Sequence, residues 1–222
     1  MLSWFRPTFF LPHSNAARLK SHRIKFSREA HDPTQSLTID EFEQVSGMTY
    51  LTEPAFRSRG SYERVKRLTL QAVADGNISH RARWLGDHYA DRLREGFVQD
   101  VSIRWVDDEM QYGLFAEKEI PRNAFVGEYT GLIKPCTVFF GEVNEYCFRY
   151  PLYNQRFIIY TIDAKMQGNE MSFMNHSSSP NCEAVVAFYD DLFHMCLRAL
   201  NPIKKGDQLF FDYGNEKWSE TP

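Results

Sequence analysis

Ser172-Phe-Met-Asn175-His176-Ser-Ser-Ser-Pro180-Asn181 is the least ordinary stretch of this 222-residue chain. Asn and His stand side by side, offering backbone and side-chain groups at one point, and a hydroxyl-rich turn closed by Pro and Asn follows. Taken alone, the stretch fits a turn with a structural histidine. A Ser–His hydrolase does not suit it: there is no Gly-x-Ser-x-Gly elbow, and adjacent His176 and Ser177 side chains point apart on extended backbone. The seven histidines give no H-x-x-x-H pair, so they do not spell a helix-borne metal site.

Around this stretch, from about residue 101, short apolar runs rich in Val, Ile, Phe and Tyr alternate with turn residues. The turns are Ile120-Pro-Arg-Asn123, Asn154, Gly168-Asn169, Ser178-Ser-Pro180-Asn181 and Pro202-Ile-Lys-Lys-Gly206. Apolar runs this short, bounded in this way, predict strands. Only Val138 to Tyr146 is ambiguous. A weak internal echo links Ile120–Tyr129 with Ile203–Tyr213: each is a turn followed by a strand that ends in acid–Tyr. Two similar β-turn units explain it, and both present a tyrosine at a strand end.

The first hundred residues read as a helical flank. Thr38-Ile-Asp-Glu41 has the spacing of a capping box, with Ile39, Phe42 and Val45 on one face of a short helix that ends at Gly47. A second helix, from Ser61 to Gly76, turns Tyr62, Val65, Leu68 and Ala72 to one side. A third, from Ser79 to Gly96, does the same with Ala82, Leu85, Tyr89 and Leu93. Residues 1–30 show no clear period. The organisation expected is a helical flank over 1–100, a β-rich domain over 101–214 and a short tail over 215–222.

Apolar residues at 43% and charged residues at 25% exclude a disordered or fibrous chain. No apolar stretch approaches the roughly 18 residues of a membrane span. The formal charge of −3 argues against general nucleic-acid binding. It hides an asymmetry: residues 1–31 carry six Lys/Arg against Glu29 alone, a net of +5, which leaves −8 on the rest. Such a body suits a cationic partner. Cys136, Cys147, Cys182 and Cys196 have no C-x-x-C spacing, so neither zinc nor a disulfide framework is expected, and free thiols point to a reducing interior. Arg6 and two prolines break up the opening apolar residues, against a secretory signal.

Four segments, read in order, carry a resemblance. They are Met110-Gln-Tyr-Gly-Leu-Phe115, Gly127-Glu-Tyr129-Thr-Gly131, Tyr160-Thr-Ile-Asp163 through Asn169 to Asn181, and Phe211-Asp-Tyr213-Gly214. Together they resemble the SET domain of protein lysine methyltransferases, over about residues 101–214. The compact size and missing flanking zinc cysteines look most like the small SET proteins of bacteria, chlamydial ones among them. The resemblance implies a mainly β fold (a β-clip of small twisted sheets with a knot-like threaded segment), S-adenosylmethionine as cofactor and no metal.

By motif, the resemblance assigns Met110, Tyr112, Asn175 and His176 to the cofactor, largely through backbone. Tyr146 falls at the junction of cofactor and lysine channel. Tyr129 lines the channel, Tyr213 is the active-site tyrosine, and Phe211 occupies a Phe-or-Tyr position where Phe implies room for di- or trimethylation. The target implied is a Lys-rich basic protein, a histone or a bacterial histone-like protein. The setting implied is intracellular, and it admits export to a host cell as an effector. The flank offers a surface to substrate or to a second copy of the chain, which makes a homodimer an expectation. The chain departs from the pattern in three places: Gln111 replaces the first glycine of a Gly-x-Gly turn, Ser172 stands where many members carry Arg, and Ser178 where many carry Cys. Trp218 is a candidate cover for the adenine. The alternative is a SET-like module that binds a lysine-bearing tail without modifying it.

Overall fold

The structure is a computed structural model that describes residues 9–13, 21–137, 144–152 and 158–214. The chain runs β1 (Ile24–Ser27), β2 (Gln35–Leu37), α1 (Ile39–Ser46), β3 (Thr49–Tyr50), β4 (Ala55–Phe56), α2 (Arg59–Ala74) and α3 (His80–Arg94). There follow β5 (Val101–Trp105), β6 (Tyr112–Ala116), β7 (Phe125–Glu128), β8 (Leu132–Thr137), β9 (Cys147–Arg149), β10 (Ile158–Asp163) and β11 (Gln167–Gly168). After a 3-10 turn at Glu170–Phe173 come β12 (Asn175–His176), β13 (Cys182–Tyr189), β14 (Leu192–Ala199) and β15 (Gln208–Phe211). The strands form one sheet in the order β2-β1-β5-β6-β15-β13-β14-β7, with β12 also paired to β15. A second sheet is β4-β8-β10-β9, and β11 pairs with β3. This is the expected mainly β fold of small mixed sheets. Among the described residues no helix is long and apolar enough to cross a membrane.

Local chemistry explains the regular hairpin. β13 and β14 pair from Cys182↔Ala199 to Tyr189↔Leu192. Asp190 and Asp191 join them with φ of 47° and 63°, the twist that a two-residue hairpin loop requires and that Asp tolerates. Glu128 on β7 meets His194 on β14, Oε1 to Nδ1 at 2.6 Å, with both side chains buried. Burial opposes a charge on His194, but the Glu128 carboxylate and the Tyr189 carbonyl outweigh it and raise the imidazole pKa. The two units of the sequence echo face each other: Ile120 and Ile203 exchange both backbone hydrogen bonds at 2.9 Å. All four cysteines are buried, and none forms a disulfide among the described residues.

The caps legible in the flank are present. Thr38 Oγ1 accepts from Glu41 N while Glu41 Oε2 accepts from Thr38 N, and Gly47 ends α1 at φ 72°. Ser58 caps α2, so this helix begins at Arg59, two residues before the start that the spacing predicts. Ser79 caps α3, which buries Ala82, Leu85, Tyr89 and Leu93 as spaced. Val45 is the exception on α1: it is 39% exposed and does not join Ile39 and Phe42 in the core.

The three helices that the sequence predicts in the flank are all present, and short strands that it does not predict accompany them. The flank contributes four strands besides its three helices. β1 runs parallel to β5, with Phe26 opposite Ile103, and β4 runs parallel to β8. Ile24, Phe26, Phe42, Phe56 and Val65 share one core with Ile103, Leu114 and Phe211. A polar knot adds to this packing: His22 Nε2 lies 2.8 Å from Glu170 Oε1 and from Tyr50 Oη, and Tyr50 donates to Glu170 Oε2. Strands of two to four residues are too short to show a period, and β1, β3 and β4 have partners far along the chain.

α3 packs so closely on β13 that a Cβ at Gly86 would sit 1.7 Å from the Phe188 carbonyl oxygen. Gly86→Ala is expected to lower the unfolding free energy by about 1–3 kcal/mol in urea titrations. Gly60→Ala, where the nearest atom is Ser58 Oγ at 3.8 Å, is expected to leave stability unchanged or slightly raised. Equal effects at the two positions would contradict this packing.

Candidate active site

The stretch Ser172–Asn181 is held from both ends. Asn175 and His176 pair in parallel with Phe210 and Phe211, and Ser177 N donates to Phe211 O. At the far end the Asn181 amide reads β15 twice, accepting from Phe210 N and donating to Gln208 O, both at 2.8 Å. On its other side the Asn175 amide donates to Tyr112 O at 2.9 Å. These contacts draw β6, β12 and the end of β15 to one point.

Tyr213 follows at once. Its backbone N donates to His176 Nδ1 at 3.1 Å, which leaves Nε2 to carry the ring proton, and its hydroxyl donates to Met174 O at 3.1 Å. Tyr129, at the end of the echoing unit, donates to Tyr146 O at 2.8 Å. Between these tyrosines runs a row of rings. Tyr129 meets Phe148 edge-on at 4.6 Å between centroids, Phe148 stacks on Phe211 at 5.3 Å, and Phe211 touches Tyr213 at 4.7 Å. Burial raises the Tyr213 pKa to about 12. It also raises that of Tyr129 well above the usual phenol value, and Tyr146 is shifted the same way by the same cause. All three are therefore neutral hydroxyls across the physiological range.

Beside this row lies a cavity of about 750 Å³. Met110, Tyr112, Tyr146, Asn175, His176 and Tyr213 line it, so six of the eight residues singled out in the sequence share one cavity. Tyr129 and Phe211 are buried in the aromatic row. Trp218 lies outside the described residues, as does most of the ambiguous stretch beginning at Val138.

The sequence did not disclose the rest of the cavity. The flank supplies Phe26, Val45, Ser46 and Met48, and the loop after β10 supplies Lys165 and Met166. Val45, Met110 and Met166 are 39%, 41% and 56% exposed, an apolar rim around a cavity with polar walls, suited to a ligand with both characters. Val45 carried the one signal available beforehand, an apolar residue at the edge of the α1 stripe.

Gln111 has φ 58°, the left-handed conformation that glycine adopts without strain. The Asp107 carboxylate, accepting from Met110 N at 2.7 Å, and the bond from Gln111 N to Asp107 O hold the turn. Gly113, the remaining glycine of the turn, packs under the end of the Gln208 side chain: a Cβ there would lie 2.4 Å from Gln208 Nε2, which would have to swing aside.

Comparison with known proteins agrees with the resemblance read from the motifs. Residues 111–214 match the SET domain family. Over 111 residues the chain is 30% identical to histone-lysine N-methyltransferase EZA1 of Arabidopsis thaliana, covering 48% of this chain and 12% of that protein. It is 32% identical to histone-lysine N-methyltransferase MEDEA of the same plant, covering 46% and 15%. Among solved structures, the Chaetomium thermophilum polycomb repressive complex 2 aligns at 28% identity and a TM-score of 0.46, over 55% of this chain and 16% of that one. Residues 111–214 are thus similar to SET domains of histone-lysine methyltransferases, and the chain spans less than a sixth of the length of the two plant relatives.

Gln111→Gly removes the cost of a left-handed side-chain-bearing residue. It is expected to raise the unfolding free energy by about 0.5–1 kcal/mol in urea titrations, after allowance for the greater freedom of glycine in the unfolded chain. A loss of stability would show that contacts of the Gln111 side chain outweigh the backbone strain.

Proposed function

We propose that this SET domain transfers a methyl group from S-adenosylmethionine to the side-chain amine of a lysine in a basic protein. The observation that carries the proposal is the position of Tyr213, which lines the cavity beside Asn175–His176 and also ends the aromatic row that leads to Tyr129. A cavity with an apolar rim, polar walls and the Asn175–His176 pair fits a nucleoside joined to an amino acid. Met110, Tyr112, Asn175 and His176 would hold that group. When bound, it supplies an electrophilic methyl on a sulfonium.

The chain's own residues then have two tasks. The first is to receive a neutral amine, although free lysine has a pKa of about 10.4. The rings of Tyr129, Phe148 and Phe211 replace water along the row, and desolvation disfavours the ammonium, so its proton leaves to solvent as the side chain enters. The second is orientation. Tyr129 and Tyr213 each commit the hydroxyl proton to a backbone carbonyl, so toward an amine each oxygen acts as an acceptor. Two acceptors engage the N–H bonds and leave the nitrogen lone pair to face the methyl, the kind of positioning from which most of the rate would come. Aromatic faces also tolerate the methylated, charged product, on the order of 0.5–2 kcal/mol per contact. A basic target follows from the −8 carried beyond residue 31 and accords with the named histone-lysine activity of the relatives.

The test is transfer of labelled methyl from S-adenosylmethionine to histones and to a bacterial histone-like protein, read by mass spectrometry. Tyr213→Phe is expected to lower turnover about 100-fold or more with the melting temperature nearly unchanged. Phe211→Tyr is expected to shift products toward monomethyl-lysine, because an added hydroxyl narrows the row. Full activity in Tyr213→Phe would remove Tyr213 from the site.

A further inference from the structure

We infer that Lys165 binds the carboxylate of the cofactor's amino-acid end. The inference rests on the cofactor proposed above and concerns how this chain orients it. Such a cofactor carries a sulfonium, an ammonium and a carboxylate, a net of +1, and its carboxylate calls for a cation in the wall. Ser172 provides none: it is buried, and its hydroxyl donates to Asn169 O at 2.8 Å. Among the described residues that line the cavity, Lys165 is the one Lys or Arg.

Its setting keeps that charge available. The Lys165 backbone is pinned, its N donating to Asp163 Oδ1 at 3.0 Å. Asp163 would be the obvious partner for its ammonium, but that carboxylate is already taken by Lys134 and Asn144. No ion pair of Lys165 is found among the described residues, and its side chain is exposed at the cavity. Glu109 and Glu145 line the same cavity, so its formal charge is −1 against the +1 of the cofactor. Methyl transfer removes the sulfonium charge and leaves a neutral product, so this wall favours cofactor over product by simple Coulomb attraction.

Calorimetric titration of the full chain with two ligands tests the assignment. S-adenosylhomocysteine has the carboxylate, while methylthioadenosine keeps the nucleoside and sulfur but lacks the amino-acid end. Lys165→Met is expected to weaken S-adenosylhomocysteine about tenfold and to leave methylthioadenosine within twofold, while Lys165→Arg retains most of the affinity. Equal losses for both ligands, or no loss for either, would overturn the role of Lys165 while leaving the cofactor in place. Failure of both ligands to bind the unaltered chain would overturn the cofactor assignment, and this inference with it.

Discussion

Everything at the site depends on a two-residue parallel pairing, Asn175–His176 against Phe210–Phe211. Two hydrogen-bonded residues are a weak strand by themselves. Here they hold because asparagine side chains act as extra backbone at both ends. Asn181 satisfies a donor and an acceptor of β15, and Asn175 reaches across to Tyr112. The amides thus close a loop through which three remote parts of the chain meet. Replacing either with an apolar residue would leave backbone groups without partners at the point where the cavity and the aromatic row adjoin.

The same principle, polar groups fixed by the backbone, governs the chemistry proposed. Tyr129 and Tyr213 are neutral, as phenols are at physiological pH, and burial penalises their phenolates further. In the proposed reaction they would face an incoming amine as acceptors, because their protons already point at the carbonyls of Tyr146 and Met174. Neither role requires motion or a charged catalytic group. The flank takes part through packing: Phe26 and Phe42 belong to the core that contains Phe211, and Val45, Ser46 and Met48 form part of the cavity wall. The His22–Tyr50–Glu170 knot ties the flank to the turn just before Asn175, so disturbing the flank would disturb the site.

Local signals were legible where the physics is local. Thr38, Ser79 and Gly47 marked helix ends because caps act within one turn, and Ala82, Leu85, Tyr89 and Leu93 marked a buried face because four repeats make a period. The motif set brought Met110, Tyr112, Tyr146, Asn175, His176 and Tyr213 forward, and they share one cavity. Features set by distant partners were illegible. The strand Ile24–Ser27 has four residues and pairs with a strand nearly eighty positions on. Lys165 is one lysine among many until Asp163 is seen to be occupied by Lys134. Gln111 was visible as a departure from glycine, but its left-handed backbone was not.

The central claim is that the cavity between Met110–Tyr112 and Asn175–His176 binds the methyl donor with its sulfur toward Tyr213. The most direct test is a crystal structure of the chain with S-adenosylhomocysteine. The account predicts the nucleoside within the rim of Val45, Met110 and Met166, with the sulfur turned toward the row from Tyr213 to Tyr129. The nucleoside in another cavity, or its sulfur turned away from Tyr213, would contradict it.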